Sequence, residues 1–245
     1  MKFFRRWKSK SKKGDKASNN MIAWIGALAH EIKNPLNTMR LNLQLLEEDL
    51  KKQEKIDKAK ALKKVSTLSR EVDRQEKALN EFLRLARLPT PDFHSTDLIE
   101  LLNELLEFIG PETKQHNIEI VKDFQKDIPR IELDSSQIRQ SLLNVILNAN
   151  QAMPEGGILT VKIYSSGNYV VIEISDTGQG IPEDRIDKIF DLFYSTKKTG
   201  TGLGLSIVKR IVNLHNGDIN VESQPGEGTT FFINLPIYQT NNPQN

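Results

Sequence analysis

The sequence predicts an α+β chain: an antiparallel helical hairpin that dimerises into a four-helix bundle, followed by an α/β sandwich with a mixed sheet. Three observations carry this prediction. From Ile22 onward, apolar residues recur at alternating steps of three and four. The proline-bearing stretch LPTPDF (88–93) then changes the texture of the chain. Beyond it, short strands joined by turn signals interleave with helices. A length of 245 residues is long for one core and suits two modest domains.

The first element is a basic tail, residues 1–19. Residues 1–17 hold eight Lys or Arg and a single acid, Asp15, so a tail of +7 sits on a remainder of −5 within a net charge of +2. It also carries Phe3, Phe4 and Trp7. A disordered solubilising arm is the plainest reading of such a segment. A weak contact with an anionic membrane surface ranks second. A nucleic-acid arm ranks third, because the acidic remainder offers no basic continuation, and no nucleic-acid partner is expected.

Residues 20–88 are the hairpin. Its first helix repeats as Ile22, Ile25, Ala29, Ile32, Leu36, Met39, Leu43, Leu46, Leu50. The polar stretch KKQEKIDK (51–58) is the turn, and a second series follows as Val65, Leu68, Val72, Gln75, Leu79, Phe82, Ala86. Each helix has one narrow apolar stripe, which two helices alone bury poorly, so a homodimer is expected. Pro89 and Pro91 end the second helix and open a linker, 89–96.

Residues 97–238 read as the sandwich. Asp97–Ile109 is an amphipathic helix and Ile118–Phe124 alternates as a strand. Ser135–Met153 is a longer helix with Asp134 or Ser135 as its N-cap. ILTVKIY and YVVIEIS are strands around the turn SSGN, Leu205–Leu214 is helical, and DINVES and TTFFINLP are strands around QPGEG. Residues 239–245 read as a disordered tail.

Composition excludes several chemistries. There are no cysteines, so disulfides, thiol nucleophiles and cysteine-ligated metal are ruled out, which fits a reducing compartment. No apolar run approaches the roughly 18 residues of a membrane span, and no signal peptide is evident. A cytoplasmic location is expected, peripheral at the inner membrane surface if the tail engages lipid.

Five stretches carry candidate chemistry. LAHEIKNPLN (28–37) sets His30 beside Glu31, as a zinc-protease helix does, but the i+4 position is Asn34 and no second histidine follows. SLLNVILNANQAM places Asn144 and Asn148 four apart on one helical face, which a solvent-facing polar side would also explain. DTGQGIP (176–182) leaves a strand with Asp176, Gly178 and Gly180; it reads equally as a ligand-edge turn and as an ordinary Asp-Thr-Gly turn. KKTGTGLGLSIVKRI (197–211) opens a helix with Gly200, Gly202 and Gly204. It has neither Walker nor Rossmann spacing, and Lys197 and Lys198 favour a phosphate lid over a plain flexible loop. GEGTTF (226–231) reads as a simple hairpin.

The order of these stretches is specific. A His-Glu heptad helix, an Asn-x-x-x-Asn helix, Asp-x-Gly-x-Gly, the pair Phe190 and Phe193, then Gly-x-Gly-x-Gly resembles the sensor histidine kinases of two-component systems, over roughly residues 20–237. NANQAMPEGG and FYSTKKTGTGLGLSI are most similar to the nitrogen-regulation and sporulation class. The resemblance implies ATP and Mg²⁺ as cofactors, autophosphorylation of His30, and transfer to an aspartate of a response regulator. It implies Glu31 as the proton acceptor and Asn34 as a water-positioning residue for phosphatase activity on that regulator. It implies Asn148 as the Mg²⁺ ligand with Asn144 in support, and Asp176 on the adenine amine with Gly178 and Gly180 letting the base approach. Lys197, Gly200, Thr201, Gly202, Leu203 and Gly204 become the lid over the phosphates.

The nucleotide motifs also resemble the wider ATPase group of type II topoisomerases, Hsp90-like chaperones and mismatch-repair ATPases, which need no upstream His-Glu helix. His94, His116 and His215 lack such a setting and read as ordinary surface or loop residues. About twenty residues precede the first helix, so the input is expected through an upstream sensor protein, the basic tail, or the remainder of a longer chain.

Overall fold

The computed structural model describes residues 34–50, 58–195, 197 and 200–238. The readings on the basic tail, His30, Glu31, residues 51–57 of the polar turn, Lys198 and the tail 239–245 fall outside the described residues. The chain divides into two compact units, Met1–Leu88 with Leu192–Leu203, and Pro89–Asp191 with Gly204–Asn245.

In the first unit, residues 34–50 form α1 and Lys58–Ala86 forms α2. Asp49 near the end of α1 accepts from Lys64 at 2.8 Å and pairs with Lys60 at 3.5 Å, which ties the two helices beside their turn. The hydrogen bond from Lys64 holds the Asp49 carboxyl below its ordinary range. The heptad positions Leu36, Leu43, Leu50, Val65 and Val72 are all exposed, Leu43 by 55%. Near the end of α2 the pattern reverses: Ala78, Phe82 and Leu85 are buried. Phe82 stacks on Phe193 with ring centroids 6.2 Å apart, and the Thr201 hydroxyl donates to Glu81. The segment 192–203 thus packs with α2.

The second unit is built on a five-stranded sheet. Its strands are β2 (Ile118–Phe124), β4 (Gly157–Ser166), β5 (Tyr169–Asp176), β6 (Asp218–Gln224) and β7 (Gly228–Pro236), in the order β2-β4-β5-β7-β6. β2 runs parallel to β4 and every other neighbour is antiparallel, so the sheet is mixed. Gly167 and Asn168 close the β4–β5 hairpin, with Ser166 opposite Tyr169 and Gly167 at φ +58°. Strand residues alternate in burial: Leu159, Val161, Ile163, Ile172, Ile174, Phe231, Ile233 and Leu235 all face the core. Helices α3 (Leu98–Gln115), α4 (Ser135–Ala152) and α6 (Gly204–Leu214) pack over the sheet, and α5 (Glu183–Ile186) is a single turn.

Capping fixes where these helices begin. Asp97 Oδ1 accepts from the N–H groups of Ile99 and Glu100 at 3.0 and 3.1 Å. Asp134 Oδ1 does the same for Ser136 and Gln137 at 3.0 and 3.1 Å, so Asp134 rather than Ser135 is the cap of α4. Each cap is worth about 1 kcal/mol. Burial works against charge on Asp134, but these donors and the Ser136 hydroxyl prevail and hold its carboxyl below the ordinary range.

Two readings need correction. The helix expected to stop at Ile109 runs on through Pro111 to Gln115. Pro111 and Glu107 are both exposed, so the Glu107 carbonyl that loses its helical donor can bond water instead. The stretch read as a linker, 89–96, contains β1 (His94–Thr96), which pairs antiparallel with β3 (Ile131–Leu133) in a small second sheet.

Candidate functional site

β5 delivers Asp176 to the edge of the core. The β-branched run before it is a buried strand, and the carboxylate is only 5% exposed. Oδ1 accepts from Gly178 N at 2.9 Å, which fixes the side chain at the head of its own loop. Hydrogen bonds to neighbouring elements hold the rest. Thr177 N donates to Ile158 O at 3.2 Å, and Thr177 Oγ1 accepts from Ile158 N at 3.0 Å. Gln179 N donates to Ala152 O at the end of α4, at 3.2 Å, and Gly226 N donates to Gln179 O at 2.8 Å.

Both loop glycines are required by packing. A Cβ on Gly178 would lie 2.6 Å from Ala152 O, and one on Gly180, at φ +69°, would lie 2.0 Å from Gln224 O. The direction in which each lacks a side chain faces protein backbone, so packing within the protein alone already requires glycine at both positions.

α4 carries Asn144 and Asn148 half-buried on one face. Asn144 Nδ2 donates to Gly204 O, the first residue of α6, at 3.4 Å. Asn150, two residues beyond Asn148, is buried with neither side-chain polar atom hydrogen-bonded. A run of three asparagines in an apolar helix was the available signal for it, and the sequence reading used only two. Gly204 opens α6, whose N-terminus carries partial positive charge. On α6, Lys209 lies 5.0 Å from the centroid of the Phe190 ring, which in turn meets Phe231 edge-on at 6.5 Å.

Asn144, Asn148, Asp176, Gly178, Gly180 and Gly204 therefore belong to the second unit. Lys197, Gly200, Thr201, Gly202 and Leu203 belong to the first, as does Asn34. Gly202 sits at φ +70° and a Cβ there would lie 2.3 Å from the carbonyl carbon of Phe193. Ser195 Oγ accepts from Lys197 N at 3.1 Å and donates to Lys197 O at 3.3 Å, and Leu203 is buried. Asn34 is exposed on α1, where its carbonyl accepts from Thr38 Oγ1 at 3.3 Å.

His94 and His116 are exposed, as expected. His215 is not: it is 0% exposed. Its Nε2 accepts from Asp134 N at 3.0 Å, so Nδ1 carries the proton and donates to Ile211 O at 2.8 Å. Burial pushes its pKa below the ordinary imidazole range, against the pull of the Ile211 carbonyl and the Asp134 charge. Phe93 closes over the ring edge-on at 5.2 Å. His215 joins the end of α6 to the cap of α4, and the loop-like sequence LHNGD gave no sign of that.

Among the described residues, no three His, Asp or Glu side chains gather to hold a metal. The neutral amide oxygen of Asn148 is a hard donor that suits Mg²⁺, an ion that takes few protein ligands and fills its octahedron from water and phosphate oxygens. The donor set fits a metal that arrives with a phosphorylated ligand.

Two family models match the chain. "His Kinase A (phospho-acceptor) domain" covers residues 21–91, and "Histidine kinase-, DNA gyrase B-, and HSP90-like ATPase" covers residues 133–239. Sensor histidine kinase ZraS of Escherichia coli (strain K12) is 34% identical over 210 residues, 86% of this chain and 44% of that protein. The solved catalytic domain of histidine kinase ThkA is 31% identical with a TM-score of 0.56, covering 60% of this chain and 96% of that one. Histidine kinase ThkA in complex with response regulator protein TrrA is 26% identical with a TM-score of 0.67, covering 88% of this chain and 61% of that one. The chain spans about half or less of the length of the curated relatives it matches.

Proposed function

Because this chain belongs to the sensor histidine kinases, we propose that it phosphorylates His30 from ATP and passes the phosphoryl group to an aspartate of a response regulator. The observation that carries the reading is the buried Asp176 carboxylate, fixed by Gly178 N at the head of a glycine loop beside the Asn148 helix. A buried carboxylate acceptor suits the exocyclic amine of adenine. Asn148 would hold Mg²⁺, with Asn144 in support; the bound ion neutralises phosphate charge. Lys197 and the segment Gly200–Gly204 would cover the phosphates.

In the transfer, one imidazole nitrogen of His30 attacks the γ-phosphorus of ATP. An N–P bond forms, the bond to the bridging oxygen breaks, and ADP leaves with the electron pair. Glu31 takes the proton from the other ring nitrogen. Positioning and charge neutralisation supply most of the rate. The exposed apolar stripe of α1 and α2 favours a homodimer that buries it as a four-helix bundle. The regulator bound to histidine kinase ThkA supports a response regulator as partner here. Input through an upstream sensor protein, the basic tail or the remainder of a longer chain, and a cytoplasmic location, complete the reading. Among the described residues no helix is long and apolar enough to cross a membrane.

Incubation with γ-labelled ATP tests it. Acid-labile, alkali-stable label that disappears in His30→Gln supports the kinase. ATP hydrolysis that is unchanged by His30→Gln, with no phosphohistidine, would instead indicate a simple ATPase. A second activity, dephosphorylation of the regulator, is favoured by Asn34, which lies exposed on α1 and follows His30 by four residues in the sequence. Asn34→Ala should abolish loss of label from the phosphorylated regulator while leaving His30 labelling intact.

A further inference from the structure

The β6–β7 turn, Gln224–Gly228, read from sequence as a plain hairpin, lies against the Asp176 loop at three points. Gly226 N donates to Gln179 O. Gly180 packs on Gln224 O with no room for a Cβ. Gly228, at φ +103°, packs on the carbonyl of Asp176, where a Cβ would lie 1.8 Å from the oxygen. The turn is the surface against which the loop is shaped.

Ser223, the residue just before this turn, links the two. Its half-buried hydroxyl accepts from Ile181 N at 2.8 Å, donates to Gly228 O at 2.8 Å, and lies 3.0 Å from Thr229 Oγ1. A hydroxyl has one proton and two lone pairs. With the proton committed to Gly228 O, Ser223 accepts from both Ile181 and Thr229, which saturates it. Thr229 is buried and stands opposite Ser223 in β6 and Asp176 in β5. One row of residues therefore runs from Asp176 through Thr229 to Ser223, and the Ser223 hydroxyl returns to the far end of the loop at Ile181. Of the bonds to Ile158, Ala152 and Gly226 described above, all but the one accepted by Thr177 Oγ1, at the near end of the loop, join backbone to backbone. Ser223 contributes a side chain, so it can be changed without rerouting the chain.

We infer that Ser223 is a positioning residue for base selection: by holding Ile181 it sets the aim of the Asp176 carboxylate and thereby the preference for adenine over guanine. The inference rests on the reading of Asp176 as the adenine acceptor. Adenine presents an amine donor to that carboxylate, whereas guanine presents a carbonyl oxygen at the same ring position, which an acceptor repels. A loop freed at Ile181 loses the fixed direction on which that discrimination depends.

The test measures autophosphorylation of the full chain with ATP and with GTP, together with phosphotransfer from protein already labelled on His30. Ser223→Ala should raise KM for ATP about tenfold, the size expected for one orphaned half-buried N–H, with kcat within twofold. It should also lower the ATP-to-GTP preference by a similar factor and leave phosphotransfer unchanged. Ser223→Thr, which restores the hydroxyl, should recover the preference. Thr229→Val, which removes one partner of Ser223, should shift it in the same direction by less and keeps the question answerable if Ser223→Ala folds poorly. A fall in Tm and kcat with the ATP-to-GTP preference intact would mean that Ser223 is only structural and would overturn the inference. Asp176→Asn separates the two levels. If it destroys ATP binding while the Ser223 and Thr229 variants behave as wild type, this inference alone fails. If Asp176→Asn binds ATP normally, the adenine reading fails and this inference with it.

Discussion

The two units of this chain use apolar residues in opposite ways. Among the described residues of α1 and α2 the heptad residues before Phe82 are exposed or half-buried, as at Leu36, Leu43 and Val72, and apart from Pro35 burial is confined to the end of α2. In the α/β unit the strand and helix residues facing inward are nearly all sealed, as at Leu102, Leu142, Val161 and Ile172. One unit has a finished core and the other has half of one. A surface that stays open in the single chain is available to a second copy, whereas a finished core can hold a carboxylate such as Asp176 in fixed geometry. The difference predicts that oligomeric state and nucleotide binding can be broken separately.

The largest effect should come from His30→Gln. Phosphorylation should fall by at least about a thousandfold, as when a nucleophile is removed, while ATP affinity measured by calorimetry stays within twofold. Gly180→Ala attacks the other unit. Its Cβ would collide with Gln224 O at a positive φ, so ATP affinity should drop more than about tenfold with a lower Tm for the α/β unit. Sedimentation should show the proposed dimer unchanged in that variant. Leu43→Glu reverses the pattern: a charge on the open stripe should convert the dimer to monomer by sedimentation and leave ATP affinity unchanged. If Leu43→Glu also weakened ATP binding, the separation drawn between the units would be wrong.

A smaller, pH-dependent effect belongs to the finished core alone. His215 is held neutral, with its pKa lowered by burial. Stability from this group is fully present above the ordinary imidazole pKa and is lost as pH falls below about 6.5 toward the lowered value. Tm of the wild type should therefore drop between pH 7 and pH 5 more steeply than Tm of His215→Gln. The smallest effect is expected from Phe82→Ala, which removes the ring contact with Phe193 in the first unit. It should make the segment 192–203 more sensitive to limited proteolysis without changing the dimer.

Much of this was legible in the sequence because it depends on local period and local chemistry. The heptads, the cap Asp134, the β4–β5 hairpin and the Asp-x-Gly-x-Gly loop all announce themselves within a few residues. What stayed hidden depends on distant partners. β1 and β3 are three residues each, too short to show alternation, and exist because they pair with one another across the intervening α3 and β2. The expected end of α3 at Ile109 lies just before Pro111, and the passage of the helix through that proline depends on exposed surroundings that the local sequence does not show. His215 looked like a loop residue, since Phe93 and Asp134, which bury and bond it, lie over eighty residues earlier in the chain. Ser223 and Gly228 looked like parts of an ordinary hairpin, and only the fold brings them to Asp176.

The segment 192–203 is bounded on both sides by residues of the α/β unit, yet it belongs with the helices through Phe193 and Thr201. The covalent order and the physical grouping of the chain therefore disagree. A chimera made by a single cut near Pro89 would give that segment a foreign helix to pack on, losing the match of Phe193 with Phe82 and of Thr201 with Glu81. Exchange of hairpins between relatives should succeed only when 192–203 travels with them, so that modularity in this protein is a two-crossover property rather than a one-crossover one.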